Sequence, residues 1–599
     1  MFLGKVQPCF HVTHWQKVLV AKINHSYLTY LHTSHGVQVL SIMLIDLQDH
    51  VAPLIQPMKS IVCIAGAGIA GLVLATALSD SGVDVHLLEG GGRKNEERSQ
   101  CIYDAEMADE KHTGTTEGRF RIFGGTSTRW GGQILPFTDD IFIPAAAGPS
   151  TGWPLHSDAL KPFYRRIEDI LGINRLPFDA DVLTHLGASV PSALARSQSL
   201  DLRFSKWAPF SRRNLAQTLG EKAVASSRIT VFLHANLTEC LLSPDHSGIE
   251  AFLVRNYRGT SFRFKAQQYV LATGTIETSR LLLASRSVCV NGVGNLHDQV
   301  GRNFHDHISA PVAVLKGTAR KKLVSWLGPF VSRGTTHTGR LEARIDLRRK
   351  LNLPAIMAHF TIEEPDNSGM FVARELLRSI QRGDTYNVML NQYRHLAAAS
   401  LNIARLGYHA RVRNRRAISP QAAVTLRIDC EQHINLQNRI RLAKHTTDSL
   451  GTPKAVVDWR VSDEEIESMR RYTRFLRDEL NRLGAGAIDF DSNALHNDGG
   501  FPEIRDTNHP MGGTVMGLDP RRSVVDPEMR VHGVSNLYVA SCSTFPSGGS
   551  SNPTFTMMAL TLRLSEWLTQ LVSVPITLTT KVEPLIANTS EELGVAYPS

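Results

Sequence analysis

Lys59-Ser60-Ile61-Val62-Cys63-Ile64 runs almost directly into Gly66-Ala67-Gly68-Ile69-Ala70-Gly71, and the hexapeptide is followed by an apolar stretch, Leu72–Ser81, and by Val83–Leu88 ending in Glu89. The order decides the fold. The first run predicts a strand, Leu72–Ser81 a helix and Val83–Leu88 a second strand, which together make a β-α-β unit. Gly66 permits a tight turn, Gly68 lets backbone approach a pyrophosphate, and Gly71 lets helix and strand pack closely. The positive end of the helix faces the phosphates, and Glu89 is placed to accept hydrogen bonds from a ribose diol. A hexapeptide of this kind alone also fits an ordinary strand–turn–helix. The flanking strands and Glu89 favour a dinucleotide site.

Two further landmarks lie far downstream. Tyr269–Ala272 predicts a strand that enters Thr273-Gly274-Thr275 and a helix over Ile276–Ser285. Leu537–Ala540 predicts a short strand reaching Ser541, followed by the Gly/Ser/Pro loop Pro546–Pro553 and a closing helix over Thr554–Val572. Between them, Trp153–Leu171 reads as a turn and an amphipathic helix, Leu341–Leu347 and Ala423–Ile428 as alternating strand-like segments, and Asp463–Leu483 as a helix. The expected fold is therefore α/β (α+β): a Rossmann-like cofactor domain interleaved with a second domain built on an antiparallel sheet with helices. The expected cofactor domain comprises residues 59–136, 226–310 and 505–575, and the substrate-binding domain residues 137–225 and 311–504. Residues 1–58 are set apart as an extension without fixed structure or ahead of a true start at Met43, and 576–599 as a tail.

Composition narrows the class. At 599 residues the chain is too long for one core, and its 42% hydrophobic and 20% charged residues are ordinary for a globular protein. The net charge of +9 is scattered; its densest run, Arg411, Arg413, Arg415 and Arg416, follows a helix-like stretch over Asn391–Tyr408 and reads as a solvated helix end. No nucleic-acid partner is expected. Seven cysteines without a C-x-x-C pair fit neither a disulfide framework, nor a zinc site, nor a dithiol flavoenzyme. Apolar runs are too short to span a bilayer, no secretion signal is read, and a cytoplasmic location is expected.

One fingerprint rather than two argues against an enzyme that passes electrons from NAD(P)H through paired Rossmann units. Gly124-Gly125-Thr126-Ser127-Thr128-Arg129-Trp130-Gly131-Gly132 is either a plain flexible loop or one that lets backbone approach a flat ring. Among the 24 histidines, His305 and His307 flank Asp306 without a third ligand in view, so no metal is expected. His532 reads as structural. Asp526 is a loop brace or a turn former.

From about Lys59 to Val572 these motifs resemble the glucose–methanol–choline (GMC) oxidoreductases. The resemblance rests on Gly66–Gly71, Gly124–Gly132, Trp153-Pro154, Val270–Thr278 and Asn291–Arg302. Its most specific part is His509-Pro510-Met511-Gly512-Gly513-Thr514, followed by Val524–Pro527, Val531–Val534, Asn536–Val539 and Ser551-Asn552-Pro553-Thr554. It implies FAD as cofactor, an alcohol as electron donor and a catalytic pair, His509 and Asn552, with His509 as base and Asn552 stabilising developing alkoxide charge. By itself Asn552 is equally a helix N-cap residue. The resemblance is nearest to sugar and polyol dehydrogenases and pyranose oxidases, and implies a sugar, glycoside or polyol substrate and oxygen, a quinone or a redox protein as acceptor. Gly66, Ala67, Gly68, Gly71, Glu89, Gly124, Gly125, Thr126, Ser127, Trp130, Gly131, Gly132, Gly274, Ser541, Asn552, Pro553 and Thr554 are the expected cofactor contacts. Relatives that attach FAD covalently carry a histidine where this chain has Arg129, so non-covalent FAD is expected. A flavin-binding protein without redox turnover is the alternative; intact His509 and Asn552 count against it.

Overall fold

The computed structural model describes residues 18–23, 26–33, 36–49, 58–108, 111–143, 152–365, 369–382, 404, 408, 409, 412, 418–496 and 500–573. At its centre Met58–Ala65 lies parallel to Val85–Leu88 on one side and to Ser261–Leu271 on the other, and Ile229–Leu233 extends the sheet in parallel beyond Val85–Leu88. Val62, Cys63, Ile64 and Ala65 are at most 1% exposed, as expected of a parallel strand covered on both faces. The fingerprint helix Ile69–Asp80 has Ala70–Leu78 buried. It is apolar all round because it lies inside, packed against the closing helix Thr554–Ser573. Leu537–Val539 adds in parallel to the end of Ser261–Leu271, and the meander of Asn236–Leu242 and Ile249–Arg255 flanks that strand on its antiparallel side.

The second sheet is antiparallel. Its order is Asp489–Phe490, His307–Val314, Ala423–Glu431, Ile356–Glu363, Thr335–Ala343, Leu200–Trp207 and Gln133–Ile134. A separate core of Phe304, Ile308, Leu341, Ile356, Leu426, Ile428, Met469 and Leu476 fills the space between this sheet and the helix Asp463–Arg482. That helix is started by a capping box in which Ser462 and Glu465 satisfy each other's backbone amides. No helix of the described residues is long and apolar enough to cross a membrane, and Cys63, Cys101, Cys240, Cys289, Cys430 and Cys542 are free.

The α/β class, the β-α-β unit and the mixed architecture are as expected, with local differences. The helix expected over Leu72–Ser81 begins three residues earlier, at Ile69, because Gly71 serves close packing inside the helix and does not interrupt it. The strand expected over Tyr269–Ala272 is the end of a longer one, Ser261–Leu271, whose first half alternates exposed and buried residues. The strand-like reading of Leu341–Leu347 is corrected: the strand stops at Ala343 and a helix, Ile345–Leu351, follows, with Asp346 in its first turn and Arg348, Arg349 and Lys350 in its last, matching the helix dipole. Residues 1–58, set apart by sequence as an extension without fixed structure or ahead of a true start at Met43, contain strands Val18–Ile23, Ser26–Thr33 and Gly36–Asp46. The last of these pairs in parallel with Ile229–Leu233 through Leu44–Asp46. Gln133–Ile134, His307–Ala310 and Arg505–Asp506, placed in the cofactor domain by sequence, pair within the second sheet. The arginine run 411–416 and the helix expected over Asn391–Tyr408 fall outside the described residues, apart from single positions.

The fingerprint glycines differ in what they tolerate. A Cβ on Gly71 would stand 1.8 Å from the Gly66 carbonyl oxygen, whereas a Cβ on Gly68 would meet nothing within 4 Å. Gly71→Ala should therefore destabilise the fold by about 1–3 kcal/mol or more, and Gly68→Ala should stay within about 0.5 kcal/mol of wild type. Thermal melting of the two variants checks this; equal melting temperatures would contradict the packing role.

Candidate active site

The parallel strands end at a cavity. Gly66, Gly68, Glu89, Gly125, Thr126, Gly274, Ser541, Pro553 and Thr554 line it, and His509 closes it. Gly66 adopts φ +100°, and a Cβ there would strike the Ala272 carbonyl. Gly125 packs directly on Gly68. Gly124 donates its N–H to the Ala67 carbonyl at 2.9 Å, so the glycine-rich loop is held against the fingerprint turn. Glu89 is buried and accepts from Ala67 N at 3.0 Å and Gly91 N at 2.8 Å, bracing the two turns that frame the cavity. Burial raises its pKa against the pull of these amides and of Arg121.

Other expected residues face elsewhere. Trp130 donates its indole N–H to the Arg213 carbonyl at 2.7 Å, and Cβ atoms on Gly131 and Gly132 would meet Trp207 and Arg213. The second half of the glycine-rich loop therefore docks on the antiparallel sheet. Ser127 caps its own turn through the Gly124 carbonyl. Gly71 and Ala67 act from behind the cavity wall. The Arg129 guanidinium lies over the Phe120 ring, 4.9 Å from its centroid. Sequence reading missed Arg119 and Arg121, two arginines that also line the cavity, because isolated arginines carry no spacing signal.

A second cavity, of about 330 Å³, opens on the antiparallel sheet and is lined by His307, Arg340, His359, Arg427, Asp429, His509 and Asn552 among others. His509 is shared by both cavities. Its position is fixed from below by Asp306, a buried carboxylate that accepts the His509 N–H at 2.8 Å, Thr507 N at 3.2 Å and the Thr507 hydroxyl at 3.1 Å. His112 lies 3.2 Å from the same carboxylate. Burial would raise the Asp306 pKa, but the hydrogen bond and charge of His112 hold it below the usual carboxylate value.

The ring of His509 is oriented by a chain of hydrogen bonds. His307 Nε2 donates to the Gly548 carbonyl at 3.1 Å, leaving the His307 Nδ1 lone pair toward His509 Nδ1 at 3.0 Å. The Thr507 hydroxyl gives its hydrogen to Asp306 and presents a lone pair to His509 Nδ1 at 2.8 Å. Both neighbours are acceptors, so this network assigns the hydrogen of neutral His509 to Nδ1. The Nε2 lone pair then faces the Asn552 amide, whose Nδ2 lies 3.3 Å away. The Asn552 carbonyl oxygen receives Arg340 Nη2 at 3.4 Å, so the side chain is directed into the site. Burial, reinforced by the neighbouring His307, lowers the His509 pKa to about 4.

His305 is turned away, bonded to the Asn303 carbonyl at 2.8 Å. His532 bonds Ser523 and the Gly517 carbonyl, and Asp526 closes a turn onto Glu528 N and Arg530 N. His112, Asp306 and Asp506 bring ligand-type atoms within 4.8 Å of one another. Asp506 accepts from Thr113 N, the Thr113 hydroxyl and Gly114 N at 2.6–2.8 Å, so both carboxylates are engaged in clasping loops.

A Rossmann-like sheet with a glycine cradle, joined at one histidine to a polar cavity on an antiparallel sheet, is the architecture of a flavoprotein oxidoreductase. Residues 435–561 match the family model described as GMC oxidoreductase. The chain is 27% identical over 558 residues to the 6'''-hydroxyparomomycin C oxidase of Streptomyces lividus, spanning 84% of this chain and 90% of the relative. It is 23% identical over 579 residues to the fructose dehydrogenase large subunit of Gluconobacter japonicus, spanning 84% and 97%. The solved structure of pyridoxine 4-oxidase from Mesorbium loti shares the fold, with a TM-score of 0.53 at 17% identity over 85% of this chain and 99% of that one.

Asp306→Asn puts an NH₂ group among backbone donors and removes the buried charge. It should destabilise the protein by about 3 kcal/mol, seen as a lower urea midpoint. An unchanged midpoint would show that the clasp carries no weight.

Proposed function

We propose that this protein oxidises a CH–OH group of a sugar, glycoside or polyol to a carbonyl, with non-covalently bound FAD and with His509 as the base. The observation that carries the reading is the position of His509 in the wall between the two cavities, with its Nε2 lone pair directed at the Asn552 amide. The named activities of the relatives, on an aminoglycoside and on fructose, support a polyhydroxylated substrate. The residues fit the cofactor: a cradle with open space at Gly68 for a pyrophosphate, with the Glu89 carboxylate, Ser541, Pro553 and Thr554 lining the same cavity. The parallel-sheet part then holds the cofactor and the antiparallel-sheet part the substrate.

Bound FAD supplies a hydride acceptor at flavin N5. His509 Nε2 takes the hydroxyl proton, and the Nδ1–H stays bonded to Thr507 and His307 while the imidazolium forms. The Asn552 Nδ2–H group donates to the substrate oxygen as negative charge grows on it. Asp306, held charged, stabilises the imidazolium from behind. Oxygen, a quinone or a redox protein then takes the electrons onward.

His509→Ala should slow anaerobic flavin reduction by roughly 10²–10⁴-fold at saturating substrate while FAD is retained; near wild-type reduction would end the assignment. In the wild type the lowered pKa sets the sign of the pH effect. The neutral base persists down to about pH 4 and is lost only as pH falls through that value. The acid limb of the reduction rate should accordingly lie near pH 4, and a limb near 6.5, the unperturbed value, would contradict the buried, neutral histidine.

Arg129 offers no free lone pair for a bond to the flavin. Acid precipitation should release all of the yellow colour into the supernatant. Flavin fluorescence that stays with the denatured chain on a gel would overturn non-covalent binding.

A further inference from the structure

The face of the antiparallel sheet that looks into the second cavity is charged in rows. Arg340 stands opposite Arg203 on the neighbouring strand, and His359 opposite Arg427 two strands further across. Two residues along each strand, on the same face, come Glu342 and Asp429. Like charges set directly opposite each other destabilise a sheet unless they are answered. Arg203 is answered: it donates to Glu342 at 2.7 Å and to the Pro136 carbonyl at 2.7 Å. His359 Nε2 lies 3.1 Å from the Asp429 carboxylate. Arg340 and Arg427 make no ion pair among the described residues. Arg427 gives its Nε to the Ser309 hydroxyl at 3.1 Å.

Arg340 is the exceptional group. It is 3% exposed, its Nε and Nη1 hydrogens have no acceptor, and its one hydrogen bond is the 3.4 Å contact to Asn552. Burial brings its pKa down to about 10, which leaves it cationic at neutral pH. A buried guanidinium with two unused donors costs free energy unless a ligand supplies the acceptors. A carboxylate matches that planar fork in charge and spacing.

We infer that the substrate is an acidic sugar, a polyhydroxy carboxylate, whose carboxylate is held by Arg340, with Arg427 lining the same cavity. This rests on the proposed oxidation at His509 and narrows its substrate class. The link Arg340–Asn552–His509, at 3.4 and 3.3 Å, places the carboxylate close to the oxidised carbinol. Asp429 Oδ1, which is buried and has no partner, is available to accept a hydroxyl further along the chain. An ammonium sugar would leave Arg340 unanswered.

The test uses matched pairs that differ in one group: D-gluconate against D-glucitol, and D-glucuronate against D-glucose. Anaerobic flavin bleaching by the holoenzyme is measured for wild type and for Arg340→Gln, together with equilibrium dialysis of labelled D-gluconate and D-glucuronate. We expect an acid to bleach the flavin with at least tenfold higher efficiency than its neutral partner. Arg340→Gln should lower that efficiency roughly 10- to 100-fold and abolish the preference for the acid over its neutral partner. If the neutral member of each pair bleaches as well as the acid, the carboxylate site is wrong and the oxidation at His509 stands. If no compound bleaches but an acid binds wild type and not Arg340→Gln, the carboxylate site stands and the oxidation falls. If no acid bleaches and none binds, the carboxylate site is overturned.

Discussion

The carboxylate of Asp306 is buried, charged and committed to the backbone of the loop that carries His509. Much of the site follows from that one contact. Asp306 directly precedes the strand His307–Val314, so the antiparallel sheet fixes where the carboxylate sits, and the carboxylate fixes the loop. The next residue, His307, is pinned by the Gly548 carbonyl and sets the hydrogen on His509. Met511 and His305 exchange backbone hydrogen bonds just beyond. A rigid loop of this kind holds a side chain in place without drawing on ligand binding energy.

Two kinds of sheet meet at this loop and bring different chemistry. The parallel sheet is covered on both faces, so its strands are apolar and its polar capacity is concentrated in the turns at their ends, where ligands bind in open α/β folds. The antiparallel sheet has one face against a helix and one face free to carry charge. The first provides backbone amides and space, the second arginine, histidine and carboxylate side chains. His509 belongs to a loop between them and is wetted by neither alone.

What the sequence made legible followed the range of the forces involved. The fingerprint turn, its helix and the closing helix were readable because a few consecutive residues determine them: a glycine that must turn, an apolar run that must be buried. His509 and Asn552 were readable through the family motif. The role of Asp306 was not, since the residues it serves lie about two hundred positions away in the chain; His305-Asp306-His307 drew notice only as a weak metal pattern. Arg340 and Asp429 were invisible for the same reason, for each looks like one more charged residue on an alternating strand. The tail of the glycine-rich loop was read toward the cofactor, yet Trp130, Gly131 and Gly132 pack on Trp207 and Arg213. Glycine signals close approach of backbone and does not say to what.

The central claim is that a substrate hydroxyl meets His509 Nε2 at the junction of the two cavities. A crystal structure of the FAD-loaded enzyme, reduced anaerobically and holding a bound polyol or sugar, measures this directly. The account predicts one carbinol oxygen within about 3 Å of Nε2, also in reach of the Asn552 amide, with Nδ1 still on Thr507 and His307. A ligand seated elsewhere, with no carbinol oxygen in reach of Nε2, would contradict it.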